Sequence, residues 1–233
     1  VAEIDTILIG DSLGMVVQGQ ASTLPVTVAD MVYHTQNVAR ANSHALILCD
    51  LPFMSVATLE RALDSAQAVM QAGAHVVKIE GGSELANIVA TLATNGVPTC
   101  VHLGLTPQSV NVFGGYKVQG KTESQADKLM ADCAAVVNAG AALLLLECVP
   151  AELAKKVRET FPVPVIGIGA GVDCDGQVLV MHDMLGVYTR KPAKFVKNFL
   201  HDEGNQTHDI TGAFRAYHQA VKERTFPTLE HSF

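Results

Sequence analysis

The sequence predicts a (β/α)8 TIM barrel, and three observations support this fold class. Short apolar runs that end in a polar or glycine residue recur along the chain, and most are followed by a helix-like stretch. The runs are apolar throughout rather than alternating, which is typical of parallel strands covered on both faces. Acidic residues follow several of the runs. In a barrel all strand ends surround one mouth, so these residues would meet there.

Seven runs of this kind are present in the 233-residue chain. They lie at residues 7–10, 45–49, 76–79, 99–101, 143–146, 165–171 and 178–181. A closed barrel of this class has eight strands. The first run is already followed by an acidic residue, Asp11, as an inner strand of the barrel would be. We therefore expect the first strand and its helix to be missing from this chain and to precede residue 1.

Stretches with helical periodicity separate many of the runs. Apolar residues recur at helical spacing over residues 59–72, 84–95, 123–139 and 152–161, and glycine or proline directly follows each stretch. Both residues are typical helix stops at that position. Two more helices are predicted at 194–200 and 210–224, so that helices from about residue 191 pack outside the core. The whole chain, residues 1–233, is predicted to form a single barrel domain.

A doubly wound open sheet is the competing architecture, because it also alternates parallel strands with helices. Its signature is a glycine-rich turn directly after the first strand, and no such motif follows residues 7–10. The glycines at 167–171 lie late in the chain. We interpret them as positions of tight packing and close backbone approach, with a phosphate cradle as the alternative.

Composition and charge narrow the classes of function. Hydrophobic residues make up 48% of the chain, and the formal net charge is -7. An acidic chain does not attract nucleic acid or anionic lipid, and no apolar run reaches the ~18 residues of a membrane span. The five cysteines include no CxxC pair. We interpret them as reduced, packed thiols of a cytoplasmic protein, with a disulfide framework as the alternative.

Four acidic residues each follow a different predicted strand, namely Asp11, Asp50, Glu80 and Glu147. One such residue alone is usually a helix cap or a solvated loop residue. Two carboxylates ~4 Å apart repel by about 4 kcal/mol at an effective dielectric of about 20. Four of them at one mouth therefore require a cation or a proton between them. Oxygen ligands with few sulfur or imidazole partners favour Mg²⁺.

Lys78, His102 and Glu147 are the other candidates for chemistry. Lys78 lies two residues before Glu80, so both side chains share one strand face. Lys78 could hold an anionic substrate carboxylate, or it could form an internal ion pair without chemistry. His102 could donate a hydrogen bond to an oxygen or serve as a packing residue. Glu147 follows the most apolar run, and because desolvation makes a carboxylate a better base, we predict that it abstracts a proton.

Ten short motifs in chain order carry a resemblance to a known family. They are GDSLGM at 10–15, TLPVT at 23–27, DLPFM at 50–54, VKIEGG at 77–82, HLGLTPQS at 102–109, GGYKVQG at 114–120, LECVP at 146–150, IGIGAG at 166–171, DGQ at 175–177 and EHSF at 230–233. Together they span essentially the whole chain, and the sequence resembles the ketopantoate hydroxymethyltransferase family.

This resemblance implies a barrel of the phosphoenolpyruvate/pyruvate type. It implies transfer of a hydroxymethyl group from 5,10-methylenetetrahydrofolate to 3-methyl-2-oxobutanoate through an enolate that Mg²⁺ stabilises. The product would be 2-dehydropantoate, on the route to pantothenate and coenzyme A. The resemblance also implies a homo-oligomer, typically a decamer, and an N-terminal helix, a first strand and a following helix ahead of residue 1.

Roles for individual residues follow from their positions in the family motifs. The resemblance implies a Mg²⁺-binding group formed by Asp11, Asp50 and Glu80. It implies contacts to the oxo acid from Asp11, Ser12, Asp50 and Lys78, with His102 lining the site. It implies that Glu147 is the proton acceptor.

Two other functions remain open at this stage. A related Mg²⁺-dependent lyase would cleave a carbon–carbon bond through the same enolate and would need a reactive cysteine, for which Cys174 is the candidate. A catalytically silent barrel could instead serve as an oligomeric scaffold. The clustered carboxylates argue against a scaffold, because a scaffold has no use for them.

Overall fold

The fold is a parallel β-sheet of the TIM-barrel type, whose strands follow one another in chain order from β1 to β7. The computed structural model describes residues 3–188 and 191–233. The strands are β1 Thr6–Ile9, β2 Leu46–Asp50, β3 Val76–Glu80, β4 Thr99–Gly104, β5 Leu143–Glu147, β6 Val165–Ile168 and β7 Gly176–Gln177. All six neighbouring pairs are parallel, so the C-terminal ends of the strands lie at one edge.

Helices connect these strands, as the alternating pattern in the sequence predicts. They are α1 Leu13–Val16, α2 Val28–Ala41, α3 Leu59–Gln71, α4 Ala86–Thr94, α5 Val110–Phe113, α6 Glu123–Asn138, α7 Ala151–Thr160, α8 Met181–Met184 and α9 Ile210–Lys222. Short 3₁₀ turns precede α4 and α5 at Ser83–Leu85 and Pro107–Ser109, and a third lies at Leu229–His231. No helix in the described part of the chain is long and apolar enough to cross a bilayer.

The two faces of the sheet carry different side chains because successive residues of a strand point in opposite directions. One face packs against α3, α4, α6 and α7 through residues such as Val77, Val101 and Leu144, and forms the main core. The other face carries a smaller apolar cluster that includes Leu48 and Leu145. Both faces are therefore covered, which explains why the strands read as continuous apolar runs.

Two predicted elements differ from the structure. The strand predicted at 178–181 is wrong, because the last strand is Gly176–Gln177 and Met181 begins α8. The helix predicted at 194–200 is also wrong, because these residues form turns and loop. This segment is apolar because it packs, with Phe199 fully buried beside Tyr217 and Phe226. Apolar spacing that serves loop packing was misread as helical periodicity.

The described sheet has two edge strands, β1 and β7. The eighth strand expected before residue 1 stays a prediction. At the other edge, α9 forms within the predicted range 210–224 and contacts β7. The Tyr217 hydroxyl donates a hydrogen bond of 2.7 Å to the Gln177 backbone oxygen, which ties α9 to this edge.

Candidate active site

The predicted site residues meet at the C-terminal edge of the sheet. Asp50 ends β2, Lys78 and Glu80 lie in β3, His102 lies in β4, and Glu147 ends β5. The register pairs Asp50 with Lys78 and Glu80 with His102 across neighbouring strands. All five share the face of the smaller apolar cluster, since each follows one of its members by an even number of residues.

Lys78 is the cation of this cluster. Its ammonium nitrogen donates to Asp50 Oδ1 at 2.5 Å and lies 3.6 Å from Glu80 Oε1. Burial alone would lower the pKa of Lys78, but the negative charges of Asp50, Glu80 and Asp11 raise it above its ordinary value. Lys78 is therefore a permanent positive charge. The open question of the sequence analysis becomes narrower, because Lys78 forms the internal ion pair and also lies among the candidate substrate contacts.

Asp11 lies just beyond β1 and is buried beside Asp50. Its backbone nitrogen donates to Asp50 Oδ2 at 3.0 Å, and its own Oδ2 accepts a hydrogen bond of 2.9 Å from the Gln108 side chain. Burial, and then the charge of Asp50, raise the pKa of Asp11 to about 8. A raised carboxyl pKa shows that the positive charge of Lys78 does not balance the negative charge at this end of the cluster.

Glu80 has the opposite shift. Burial would raise the pKa of Glu80, but His102, Lys78 and the Gln108 backbone N–H lower it to about 2. The Gln108 N–H donates to Glu80 Oε2 at 2.9 Å. Glu80 Oε1 is buried and has no hydrogen-bond partner among the described residues. Glu80 is therefore a permanent carboxylate with one oxygen held and the other available.

His102 lies between two carboxylates and connects the two halves of the cluster. Its Nδ1 is 3.3 Å from Glu80 Oε1, and its Nε2 is 3.4 Å from Glu147 Oε2. Neither contact is aligned as a hydrogen bond, so the two ring nitrogens interact with the carboxylates mainly through charge. Burial, and then Lys78, would lower the pKa of His102, but Glu80 and Glu147 raise it to about 9. The ring is therefore an imidazolium at neutral pH.

Glu147 is the most accessible carboxylate of the β2–β5 strand ends. Its side chain is 15% exposed, against 2% for Glu80 and 4% for Asp50. Its backbone oxygen accepts a hydrogen bond of 2.8 Å from the Leu105 N–H, across a close approach of the chain at Gly104. A Cβ at Gly104 would lie 2.4 Å from that oxygen, and the φ of +87° also requires glycine. Glu147 is thus held by the backbone and open at its carboxylate.

Ser12 lies at the entrance to α1 without capping it through its side chain. A Cβ built on Gly10 would lie 3.1 Å from Ser12 Oγ and 3.6 Å from Asp50 Oδ2. The hydroxyl and the carboxylate therefore converge on space that the missing side chain of Gly10 leaves open. This places Ser12 at the edge of the cluster, as predicted.

The sequence analysis missed Gln108 and Tyr116 as site residues. Gln108 is buried and touches Asp11 and Glu80. The Tyr116 hydroxyl lies 3.5 Å from Met15 Sδ, and burial together with Glu147, Asp11 and Glu80 raises its pKa. The available signal for Gln108 was its place three residues after β4, in a turn that begins with Pro107. A neutral side chain in a loop gave no charge-based reason to select it.

The described residues contain no group of three His, Cys, Asp or Glu side chains that already converges as a set of metal ligands. Asp11, Asp50 and Glu80 are linked through Lys78 and Gln108 rather than through one shared point. Their chemistry nevertheless fits a hard divalent cation, because Asp11 carries uncompensated charge and Glu80 Oε1 is unpartnered. Their role as metal ligands stays a prediction.

The cysteines do not support the lyase alternative. All five are free and buried. Cys174, the candidate for a reactive thiol, is 5% exposed, and burial raises its pKa to about 12. A thiol of this kind is not activated as a nucleophile or acid at neutral pH.

Solved structures with the same architecture are enzymes of low sequence identity. A 2,3-dimethylmalate lyase of the PEP mutase/isocitrate lyase superfamily aligns with a TM-score of 0.53 and 16% identity, over 71% of this chain and 60% of its own. An oxaloacetate acetylhydrolase aligns with a TM-score of 0.53 and 11% identity, over 71% and 59%. These matches confirm the TIM-barrel-type α/β fold. Together with the carboxylates at the strand ends, they define the class as an α/β-barrel enzyme.

Sequence comparison gives the family within that class. The sequence model of ketopantoate hydroxymethyltransferase matches residues 1–229. A 3-methyl-2-oxobutanoate hydroxymethyltransferase from Psychrobacter cryohalolentis is 66% identical over 232 residues, covering 100% of this chain and 87% of that protein. One of the same name from Acinetobacter baylyi is 62% identical over 233 residues, covering 100% and 86%. The chain belongs to the ketopantoate hydroxymethyltransferase family, and it is a transferase.

Proposed function

We propose that this chain transfers a hydroxymethyl group from 5,10-methylenetetrahydrofolate to 3-methyl-2-oxobutanoate and forms 2-dehydropantoate. Family membership supports the type of transfer. The observation that carries the proposal is the continuous set of contacts from Asp11 to Glu147, in which fixed charges for holding an oxo acid adjoin an accessible base.

Mg²⁺ is part of this proposal. Asp11, Asp50 and Glu80 would hold the ion, since hard carboxylate oxygens suit it and Asp11 carries uncompensated charge. When bound, Mg²⁺ would act as a Lewis acid toward the 2-oxo group and favour loss of the neighbouring proton.

The cation and hydroxyl at the β1–β3 end would bind the carboxylate of the oxo acid. Lys78 is held in place by Asp50 at 2.5 Å, so its ammonium group is already ordered before a substrate arrives. The Ser12 hydroxyl lies beside this pair and makes no side-chain cap to α1, so it is free to donate. His102, charged and buried, would donate toward an oxygen of the substrate that gains negative charge.

Glu147 would accept the proton from carbon 3 of the oxo acid. The carbon–hydrogen bond breaks, and its electron pair forms the new bond to the one-carbon unit of the folate. The bonds between that unit and the folate nitrogens break, and water supplies the hydroxyl oxygen. The 15% exposure of the Glu147 side chain allows contact with a bound substrate, while the charged His102 ring stabilises the carboxylate before it takes up the proton.

Hydrogen–deuterium exchange at carbon 3 tests this role directly. In D₂O with Mg²⁺ and no folate, the unmodified chain should exchange the carbon 3 proton of 3-methyl-2-oxobutanoate, as followed by NMR. Glu147→Gln keeps the size of the side chain and removes the base. We expect exchange to fall by about 100-fold or more, because general-base catalysis contributes about 10²–10⁴.

Glu152→Gln is the matched control, since Glu152 is exposed in the first turn of α7 and lies outside the cluster. It should exchange at the unmodified rate. Calorimetry with Mg²⁺ and the oxo acid should show that Glu147→Gln still binds both. Undiminished exchange in Glu147→Gln would remove Glu147 from the proposed role.

The folate co-substrate, the cellular setting and the partners belong to the same proposal. We expect the folate to approach from the exposed side of Glu147, and the enzyme to act in the cytoplasm without nucleic-acid or membrane partners. Product analysis with and without methylenetetrahydrofolate tests the co-substrate, because only the transfer reaction yields 2-dehydropantoate and requires the folate.

A further inference from the structure

We propose that Gln108 is a positioning residue that fixes the orientation of Asp11 and Glu80 for Mg²⁺ and the oxo acid. This inference rests on the proposed function. Gln108 belongs to the 3₁₀ turn Pro107–Ser109, which follows β4. From there it reaches residues at the ends of β1, β2 and β3, and no other residue outside those strands makes hydrogen bonds to two carboxylates of the cluster within the described chain.

Three hydrogen bonds define this arrangement. The Gln108 backbone N–H donates to Glu80 Oε2 at 2.9 Å. Its side-chain Nε2 donates to Asp11 Oδ2 at 2.9 Å and to the Leu51 backbone oxygen at 3.1 Å. The side-chain nitrogen has two hydrogens, so both are used, one on a carboxylate and one on the backbone beyond β2. Gln108 therefore ties together the ends of three strands.

The bonds occupy one oxygen of each carboxylate and leave the other. Glu80 is held through Oε2, and its Oε1 is the buried oxygen without a hydrogen-bond partner. Asp11 is held through Oδ2, which leaves Oδ1 for a ligand. A carboxylate whose rotation is fixed in this way presents a defined oxygen to a cation. Partners of this kind commonly determine the affinity of a metal site.

A neutral amide suits this task better than a charged group. A lysine at position 108 would place a second ammonium group beside Lys78 and would compete with Mg²⁺ for the carboxylates. A glutamate would add a negative charge against Asp11, whose pKa burial and Asp50 already raise. The amide donates two hydrogen bonds and leaves the charge of the cluster available to the cation.

Gln108→Met tests the inference. Methionine has a similar length, keeps the backbone N–H that holds Glu80, and loses both amide hydrogens. Calorimetric titration of Mg²⁺ in the presence of 3-methyl-2-oxobutanoate should show affinity weaker by about 10-fold to 100-fold, as for the loss of other partners of metal ligands. Carbon 3 exchange at saturating Mg²⁺ should recover more completely than exchange at low Mg²⁺, because Gln108 does not touch the substrate in this proposal.

Gln177→Met is the matched control. The Gln177 side chain also donates from a partly buried position to a backbone oxygen, that of Gly171, but it touches no carboxylate. It should lower the thermal midpoint about as much as Gln108→Met, by circular dichroism, and leave Mg²⁺ affinity unchanged. A loss of affinity confined to Gln108→Met separates positioning from general stability.

The outcomes are distinguishable. Unchanged Mg²⁺ affinity in folded Gln108→Met overturns the inference and leaves the proposed function intact. Absence of Mg²⁺ binding in the unmodified chain contradicts the proposed function, and the inference with it. If Gln108→Met does not fold, Gln108→Asn decides, because it retains an amide in the same turn but is one methylene too short to hold Asp11. It should lose affinity in the same direction, and unchanged affinity would overturn the inference.

Discussion

His102 is the residue on which the charge balance of the site depends. It is fully buried, and it stands between Glu80 at 3.3 Å and Glu147 at 3.4 Å. The imidazolium form offsets the repulsion between these two carboxylates. The folded state therefore holds the His102 proton more tightly than the unfolded chain does, and stability depends on pH.

We predict that stability falls as the pH rises from about 6.5 to about 9. The pKa of His102 is raised from 6.5 to about 9 in the folded state, so its contribution is complete below the lower value and lost on approaching the upper one. Asp11, whose pKa is raised to about 8, acts in the same direction over the lower part of this window. Glu80 does not oppose the trend, since its contribution is lost only as the pH falls from about 4.5 toward about 2.

Urea unfolding in chelator-treated buffer at pH 6.5 and pH 9 measures this dependence. His102→Gln should reduce the loss of unfolding free energy between the two values by roughly 1 kcal/mol or more, following the energy of one pKa unit. His201→Gln, at an exposed position, is the control and should keep the original slope. An unchanged slope in His102→Gln would show that this proton does not contribute to the folded state.

Charge explains why most site residues could be predicted from sequence. Asp50, Glu80 and Glu147 each end a buried apolar run, where an unpaired carboxylate is costly and so indicates a function. Lys78 stood out because a lysine inside an apolar strand is rare. Gln108 could not be selected in this way, since nothing in a neutral loop residue reveals that its two amide hydrogens reach Asp11 and Leu51.

At the scale of elements, helix ends were more informative than helix interiors. The analysis did not predict α2, whose apolar pattern is weak, yet its start carries a capping box between Thr27 and Asp30. The Asp30 N–H donates to Thr27 Oγ1, and the Thr27 N–H donates back to Asp30 Oδ2. The wrong helix at 194–200 had apolar spacing but no such start. Capping residues would have corrected both assignments.

Helix α6 offers a test of how much one cap contributes. Thr122 accepts a hydrogen bond from the Gln125 N–H, and the Gln125 side chain accepts in return from the Thr122 N–H. We expect Thr122→Ala to lower the free energy of unfolding by about 1 kcal/mol, because one backbone donor of the first turn loses its partner. Urea titration measures the change, and Thr122→Ser should lose little. Equal losses in the two variants would point to packing of the methyl group rather than to the cap.

At the scale of the molecule, strand order and direction followed from the sequence because each apolar run is short and each connection contains a helix. That pattern allows few arrangements other than parallel neighbours in chain order. The strand at 178–181 was misplaced because only two residues, Gly176 and Gln177, pair with β6. Side-chain hydrophobicity does not reveal where pairing stops.

The assembly of the molecule is a separate expectation. Phe53 and Met54 are 44% and 50% exposed, and they line a surface cavity of about 420 Å³ together with Leu24 and Pro25. Exposed apolar surface of this kind is typical of subunit contacts. We expect native mass spectrometry to find a homo-oligomer, with a decamer at ten times the 24.7 kDa chain mass.

Phe53→Lys should shift this assembly to smaller species, because a charge would be buried at the contact. Leu229→Lys is the control, since Leu229 is 91% exposed and does not line the cavity, and it should leave the mass unchanged. A monomer in the unmodified chain would contradict the expectation of assembly. An unchanged mass in Phe53→Lys would place the contact elsewhere.

The apolar cluster one pleat below the charged residues has a consequence for the fate of the reacting carbon. Leu48, Val76, Cys100 and Leu145 form a dry floor, so water and proton donors can arrive only from above. In the proposed reaction, a carbanion formed over this floor can either recover its proton from Glu147 or meet whatever fills the opening. Filling that opening with the one-carbon donor would exclude bulk solvent and make carbon–carbon bond formation the faster exit.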